Sequence, residues 1–110
     1  MSQQFDTVIR QAEIATATDR YLADIGIRGG RIVAIGQDLG PGRETLDAAG
    51  RLVTPGGVDA HCHLDQPMSD GSKMADDFIT GTRSAACGGT TTVIPFACQF
   101  KGQSLQAAVD

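Results

Sequence analysis

The stretch from Pro55 to Asp65 constrains the fold of this chain more than any other, because it contains both histidines of the protein. His61 and His63 stand two residues apart at the end of a short run that is typical of a β-strand. Residues i and i+2 of a strand project to the same face, so the two imidazoles should point together. Converging imidazoles are ligands that a zinc-like divalent cation prefers. The sequence therefore predicts a metal site at His61 and His63.

The neighbours of the histidines divide between the two faces of this strand. Cys62 should lie on the opposite, apolar face and pack as a small hydrophobe, so it is not expected to bind the metal. Asp59 and Asp65 would share the histidine side if the extended conformation held. Asp59 then has two open interpretations, a carboxylate that orients an imidazole or one that bonds to the backbone. A catalytic zinc takes at least three protein ligands, so two histidines do not complete a site.

Residues 1–54 are predicted to form a small N-terminal β-sandwich-like domain. The segment from Phe5 to Ile14 is interpreted as one or two edge strands. Tyr21 to Ile27 alternates in polarity, and Gly29 and Gly30 supply the positive-φ positions of a tight hairpin before Arg31 to Ile35 returns. Two more short strands are predicted at 45–48 and 51–54.

Residues 55–110 follow a different pattern, in which strand and helix alternate. A helix capped by Asp76 or Asp77 and stopped at Gly88 separates the histidine strand from a second strand at 90–96, and Ser104 caps a further helix. This βαβ order predicts parallel strands. The buried stripe of the first helix is predicted to consist of Phe78, Ile79, Thr82, Ala85 and Ala86.

Four segments in the same order resemble the amidohydrolase superfamily, and within it the dihydropyrimidinases and hydantoinases, which are cyclic amidohydrolases. They are the hairpin at 27–36, the stretch at 47–64 that ends in the His-Cys-His motif, the helix start at 76–82 and the strand at 88–94. The resemblance implies an α/β fold in which residues 55–110 form the first βαβ portion of a metal-dependent (β/α)8 TIM barrel. Because such a barrel needs eight strands, the chain is expected to be the N-terminal fragment of a longer enzyme.

The resemblance also implies a chemistry. It assigns His61 and His63 to a centre of two zinc ions per full-length subunit, with a carbamylated lysine, two more histidines and a catalytic aspartate expected beyond residue 110. Lys73 lies in a polar loop and is not expected to be that lysine. The implied reaction opens the ring amide of a dihydropyrimidine or a 5-substituted hydantoin to an N-carbamoyl amino acid.

At two positions, 65 and 95, this chain differs from members of the superfamily that it resembles. Dihydroorotases of the same superfamily carry an arginine where this chain has Asp65, and an acid there would repel a substrate carboxylate. An uncharged ring is therefore the expected substrate. Pro95 stands where many relatives have an acidic residue, and the sequence offers no functional account of it.

Composition narrows the possible partners and the expected cellular compartment. A net charge of −4 argues against nucleic acid or an anionic membrane as partner, and no apolar run reaches the length of a membrane span. Three cysteines without Cys-x-x-Cys spacing predict reduced thiols in a cytoplasmic protein. The resemblance implies a homodimer or homotetramer when full length. The alternatives are a non-catalytic amidohydrolase-like scaffold or interaction protein, and an inactive small β domain.

Overall fold

The computed structural model describes residues 4–110 and divides the chain into two compact units, Met1–Pro55 and Gly56–Asp110. The first unit holds five strands, β1 (Thr7–Ala15), β2 (Arg20–Arg28), β3 (Arg31–Gly36), β4 (Glu44–Asp47) and β5 (Leu52–Val53). The second unit holds β6 (Gly57–Cys62), α1 (Phe78–Cys87), β7 (Thr90–Pro95) and α2 (Gln106–Val109). The chain is thus a mixed α/β structure with its N-terminal part built from strands, as predicted.

A β-bulge bends β1 in the middle of the first sheet. β1 and β2 are antiparallel, and two residues of β1, Arg10 and Gln11, stand opposite the single residue Asp24 of β2. Gln11 adopts a left-handed conformation with φ of 54°, and its amide donates a 3.0 Å hydrogen bond to the Asp24 carboxylate. The same carboxylate accepts from the Leu39 amide at 3.3 Å. The buried Asp24 therefore satisfies the Gln11 donor that the bulge removes from the ladder, and it also binds a backbone donor of the loop after β3.

The bulge allows two short strands to pair in succession with the other edge of β1. β4 pairs in parallel with residues 7–10 of β1, and β5 pairs in parallel with residues 13–14. Between them the chain turns through Ala49 and Gly50, both at positive φ, and the Gly50 amide donates to the Gln11 carbonyl at 2.8 Å. β1 is consequently flanked on both sides, and the prediction that it is an edge strand was wrong. Its parallel partners lie 37 to 39 residues further along the chain, beyond the reach of local sequence patterns.

The hairpin between β2 and β3 follows the prediction. Gly29 and Gly30 both have positive φ, at 56° and 71°, and the two strands are antiparallel. The buried apolar residues of this unit lie mainly on β1 and β2 and are Phe5, Val8, Ala12, Ile14, Ala23 and Ile25. The described strands of the unit belong to one sheet, so the sandwich-like arrangement stays a prediction.

The second unit has the predicted strand, helix, strand order, and β6 and β7 are parallel. Asp77 caps α1 through a reciprocal pair of bonds, in which its carboxylate accepts from the Thr80 amide at 2.7 Å and the Thr80 hydroxyl accepts from the Asp77 amide at 3.1 Å. The helix ends at Gly88, as predicted. At the next helix the N-cap position falls on Leu105 instead of Ser104, although the Ser104 hydroxyl accepts from the Ala107 amide at 3.2 Å.

The prediction that α1 has a buried stripe was wrong. Phe78 is 51% exposed, Ile79 is 70% exposed, and neither Thr82, Ala85 nor Ala86 is buried. Within residues 4–110, α1 packs on β7 and has no second layer against its remaining apolar face. Helical periodicity identified apolar side chains correctly, but burial requires a partner surface that these residues do not supply.

Across the described residues, the helices are all too short and insufficiently apolar to cross a membrane.

Candidate metal centre

The two histidines lie side by side at the C-terminal end of β6. Their ring centroids are 5.6 Å apart and the ring planes meet at 63°. His61 lies within the strand, whereas His63 is the first residue after it, and both side chains are exposed. The two-residue spacing therefore brings the imidazoles together, as the sequence indicates.

A β-bulge in the pairing of β6 with β7 includes His61. Between the pairs Asp59 with Val93 and Cys62 with Pro95, β6 advances by three residues while β7 advances by two. The Asp59 carboxylate accepts a 3.0 Å hydrogen bond from the His61 amide at this irregularity. Of the two interpretations of Asp59, the bond to the backbone is the one observed. Bulges of this kind are common near active sites, where they redirect a side chain.

Phe96 packs against both imidazoles. Its ring centroid lies 4.5 Å from that of His61 with a tilt of 53°, and 5.0 Å from that of His63 with the planes only 10° apart. Phe96 directly follows β7, and its amide donates to the Cys62 carbonyl at 2.9 Å. The backbone that joins the two strand ends thus also fixes the ring that contacts the histidines.

Gln66 is the polar partner of His63. Its side-chain oxygen Oε1 contacts the ring nitrogen Nδ1 of His63 in a short hydrogen bond. The backbone of Gln66 is anchored in turn, because its amide donates to the Met74 sulfur at 3.3 Å. Gln66 is half-buried although the histidine itself is exposed.

Asp65 departs from the predicted conformation. Its φ of 48° is left-handed, so the extended conformation that would have placed Asp65 on the histidine side of the strand does not hold at this residue. Its amide donates to the Asp76 carbonyl at 3.0 Å, which closes the loop onto the start of α1. An aspartate tolerates this left-handed position better than most residues do.

Exposure alternates residue by residue from His61 to Gln66. Cys62, Leu64 and Gln66 are half-buried, while the two histidines and Asp65 are exposed. Leu64 packs on α1 so closely that a Cβ on Gly81 would lie 2.3 Å from its methyl Cδ2. This alternation fits the assignment of Cys62 to the face away from the histidines, and its exclusion as a metal ligand stays a prediction.

The donor set here is two imidazoles. Among residues 4–110, three or more His, Cys, Asp or Glu side chains do not gather at a common point that could hold a metal ion. Lys73 is exposed in the loop before α1. The residues present therefore fit two ligands of a divalent-metal site, and a catalytic zinc would need at least one more protein ligand.

The loop beside the histidines carries negative charge. Hydrogen bonds from the Ser72 hydroxyl and amide lower the pKa of Asp70, and the Thr80 amide lowers that of Asp77.

Asp65 lines a pocket of about 250 Å³ together with Gln66, Phe96 and Cys98. A cavity of about 500 Å³ in the first unit is lined by Asp24 and Arg10 among others and contains neither histidine.

Sequence reasoning missed both direct neighbours of the histidines. Gln66 stands three residues after His63, and a polar amide this close to a His-x-His pair is a signal that could have identified it. Phe96 was placed in the second strand without a role. The parallel pairing of β6 and β7 brings its position beside the histidines, because the C-terminal ends of parallel strands lie at one edge.

The chain was compared with known proteins. No family model matches it. The D-hydantoinase of Ralstonia pickettii is 48% identical over 104 residues, which is 94% of this chain and 22% of the relative. A solved D-hydantoinase structure superposes with a TM-score of 0.88 at 47% identity, covering 96% of this chain and 23% of the other. The N-acyl-D-glutamate deacylase of Bordetella bronchiseptica, solved in complex with zinc and a phosphonate inhibitor, matches 83% of this chain and 18% of its own at 34% identity, with a TM-score of 0.64.

The sequence match and the structural match to D-hydantoinases agree with each other. The chain spans about a fifth of the length of the relatives it matches, while nearly all of its own residues are aligned. The similarity includes the histidine strand and the parallel strand beside it. On this combination of identity, coverage and fold, the chain belongs to the hydantoinase and dihydropyrimidinase family of cyclic amidohydrolases.

Proposed function

We propose that these residues form part of a metal-dependent hydrolase that opens the cyclic amide of dihydropyrimidines or 5-substituted hydantoins to N-carbamoyl amino acids. The observation that carries the proposal is the pairing of His61 and His63, 5.6 Å apart at the C-terminal end of a parallel strand. That end is where ligand sites of parallel α/β folds are found. The matching D-hydantoinases supply the reaction class.

In this proposal His61 and His63 hold a divalent metal, and zinc is the expected ion. Zinc in complex with the similar deacylase supports that choice. When bound, such an ion lowers the pKa of water and polarises a carbonyl. The role of this chain is to present two neutral imidazoles in a fixed relationship, with Phe96 limiting their rotation. A centre of two zinc ions, its carbamylated lysine and its catalytic aspartate would depend on residues other than these 110.

Asp65 is proposed to favour uncharged rings. It lines the pocket that Gln66 and Phe96 share, next to the histidines. A carboxylate at that place disfavours an anionic ring substituent through like-charge repulsion. Dihydrouracil and hydantoin carry no carboxylate and avoid this penalty, so they are the substrates to test first.

The proposal includes the fold to which each of the two units contributes. Residues 55–110 would begin a TIM barrel, in which β6 and β7 are neighbouring strands and α1 joins the outer layer of helices. Residues 1–54 would contribute to a β-sandwich-like domain. The exposed apolar side chains of α1 support this, since a barrel would cover them. A cytoplasmic homodimer or homotetramer completes the proposal.

A chimera tests the function. The 110 residues replace the matching segment of the Ralstonia pickettii D-hydantoinase, and metal content and hydantoin ring opening are measured on the purified protein. The proposal expects bound metal and turnover, with His61→Ala and His63→Ala each removing most of both. Lys73→Ala is the control and should retain both, because that exposed side chain is not the carbamylated lysine.

The 110-residue chain by itself is the second arm. Two imidazoles should bind zinc only weakly, and hydantoin should not be opened. A folded chimera that binds no metal would instead favour the non-catalytic scaffold. Tight stoichiometric zinc with turnover by the 110-residue chain would show that the assignment of the remaining ligands to other segments is wrong.

A further inference from the structure

The polar contact of His63 determines which of its ring nitrogens is free. A neutral imidazole carries one proton, and the nitrogen without it has the lone pair that binds a metal. The contact here joins Nδ1 of His63 to Oε1 of Gln66. An amide oxygen can only accept a hydrogen bond, so a hydrogen bond at this contact requires the proton on Nδ1. Nε2 then keeps its lone pair.

We propose that Gln66 is a positioning residue that holds His63 in the Nδ1–H tautomer, leaving Nε2 as the metal-binding atom. The inference rests on the proposed role of His63 as a ligand, yet the tautomer exists without metal and can be measured alone. Metal-binding histidines commonly donate their second ring N–H to an outer partner, and this partner is usually a carboxylate or a carbonyl. An amide side chain from the same loop would serve here in that role.

The loop geometry gives Gln66 its reach. Asp65, two residues after His63, has a left-handed backbone with φ of 48°. The Asp65 amide is fixed to the Asp76 carbonyl, and the Gln66 amide is fixed to the Met74 sulfur. The backbone at Asp65 and Gln66 is consequently held in place, which reduces the entropy lost when the Gln66 side-chain amide contacts the ring.

Phe96 supports the same arrangement from the other side. Its ring is stacked on His63 with an interplanar angle of 10°, so rotation of the imidazole out of the plane that meets Gln66 would break this stacking. A flip of the ring by half a turn would keep the stacking but exchange Nδ1 for a carbon atom at Gln66. The hydrogen bond therefore selects between two orientations that the stacking alone allows.

Nitrogen-15 NMR of the 110-residue chain labelled at histidine tests the proposal without metal. Spectra are recorded about two pH units above the ordinary histidine pKa of about 6.5, where the imidazoles are neutral. His63 should show a protonated Nδ1 and an unprotonated Nε2. Gln66→Met, which keeps length but has no side-chain oxygen, should shift His63 mainly to the Nε2–H tautomer favoured by solvated histidine.

Two further variants make the result specific. Gln66→Glu can only accept at its side chain, so it should retain the Nδ1–H tautomer. Gln37→Met applies the same substitution to a glutamine whose amide donates to the Leu22 carbonyl, and it should leave His63 unchanged. The tautomer of His61 serves as an internal reference in every spectrum.

Zinc titration gives the second readout. Following the His63 signals, Gln66→Met should weaken zinc binding by about 10-fold, the lower end of the loss typical for outer-shell partners, and Gln66→Glu should restore it. An Nε2–H tautomer in the unsubstituted chain, or an Nδ1–H tautomer that survives in Gln66→Met, would overturn the proposal. If Gln66→Met loses its dispersed amide spectrum, the tautomer of His63 in the unsubstituted chain and in Gln66→Glu decides. The Nδ1–H tautomer in both supports the proposal, and the Nε2–H tautomer in the unsubstituted chain overturns it.

The two proposals fail in different ways. A chimera that opens no hydantoin while His63 responds to Gln66 as expected would count against the proposed function and support the tautomer assignment. An active chimera in which Gln66→Met changes neither the tautomer nor the zinc affinity would support the function and overturn the positioning role.

Discussion

The Phe96 ring lies parallel to the His63 imidazole, with their centroids 5.0 Å apart and their planes 10° apart. The same ring also contacts His61 at 4.5 Å, so one aromatic side chain from β7 restrains both candidate ligands on β6. The backbone bond from the Phe96 amide to the Cys62 carbonyl fixes the distance between the strands at this point. The pairing of two parallel strands thus determines how the imidazoles are presented.

Phe96→Ala should loosen the histidine pair. Without the ring, both imidazoles gain rotational freedom, and the entropy lost on binding a metal rises. Zinc affinity of the chimera is expected to fall by about 10-fold, as for other supporting residues of metal ligands. The measurement is competition of each variant against a chromophoric chelator. Phe96→Tyr keeps the ring and should bind zinc nearly as well as the parent.

Phe100→Ala is the matched control, because no ring contact joins Phe100 to either histidine among the aromatic pairs found in residues 4–110. It should leave zinc affinity unchanged. Equal losses in the Phe96 and Phe100 variants would indicate general destabilisation and would contradict a specific role for Phe96.

Gly56→Ala should destabilise the junction of β6 and β7. A Cβ at position 56 would lie 2.0 Å from Oγ1 and 2.7 Å from Cβ of Thr91, a β-branched residue whose side chain has little freedom to move. Overpacking of this kind costs about 1–3 kcal/mol of unfolding free energy. Urea unfolding monitored by circular dichroism measures it.

Gly88→Ala is the control for the loss of unfolding free energy expected in Gly56→Ala. Its φ is −87° and the nearest atom to an added Cβ is 3.5 Å away, so an alanine fits. Its unfolding free energy should stay within about 0.5 kcal/mol of the parent, the usual range for substitutions that disturb no packing. If Gly56→Ala were as stable as Gly88→Ala, the close approach of Thr91 would not hold in solution.

The sequence predicted those features whose causes are local. Gly29 and Gly30 occupy the positive-φ positions of the hairpin, and Asp77 caps α1, because both depend on residues adjacent in the chain. The His-x-His spacing likewise predicts that His61 and His63 lie together, and their rings are neighbours in the structure. Each of these three predictions required only a few neighbouring residues.

The features that were missed depend on distant segments or on backbone irregularities. β1 is flanked on both sides because β4 and β5 return in parallel across its bulge, and no local pattern announces that return. Gln66 reaches His63 because Asp65 leaves the extended conformation, a change that alternation of apolar residues does not signal. Periodicity describes regular elements, so the irregular residues between them require the structure.

Asp24→Ala should weaken the first sheet at its bulge. Its carboxylate accepts from the Gln11 and Leu39 amides, and alanine leaves both donors unpaired. Because these amides are only partly shielded, we expect a loss near about 1 kcal/mol, the lower end for unsatisfied donors. Hydrogen exchange of the Gln11 amide is the direct measurement and should accelerate. Asp24→Asn retains one acceptor oxygen and should lose less, whereas equal exchange rates in all three proteins would contradict the role of Asp24.

The final prediction concerns Asp6, which joins two loops of the first unit. Its carboxylate accepts from the Gly29 amide at 2.6 Å and from the Arg43 guanidinium. The Gly29 bond, and after it the Arg43 bond, lowers the pKa of Asp6 from its ordinary value of 3.8. A lowered carboxyl pKa stabilises the folded state above the unfolded-state pKa, and that contribution disappears as the pH falls through the lowered value.

Asp6→Asn should therefore be less stable than the parent at pH 7, and the difference between the two should shrink only at pH values below 3.8. Urea unfolding of both proteins from neutral to acidic pH measures it. The loop connection through Asp6 would be refuted by a stability difference that is constant across this pH range, since a charge-independent cause would then explain the loss.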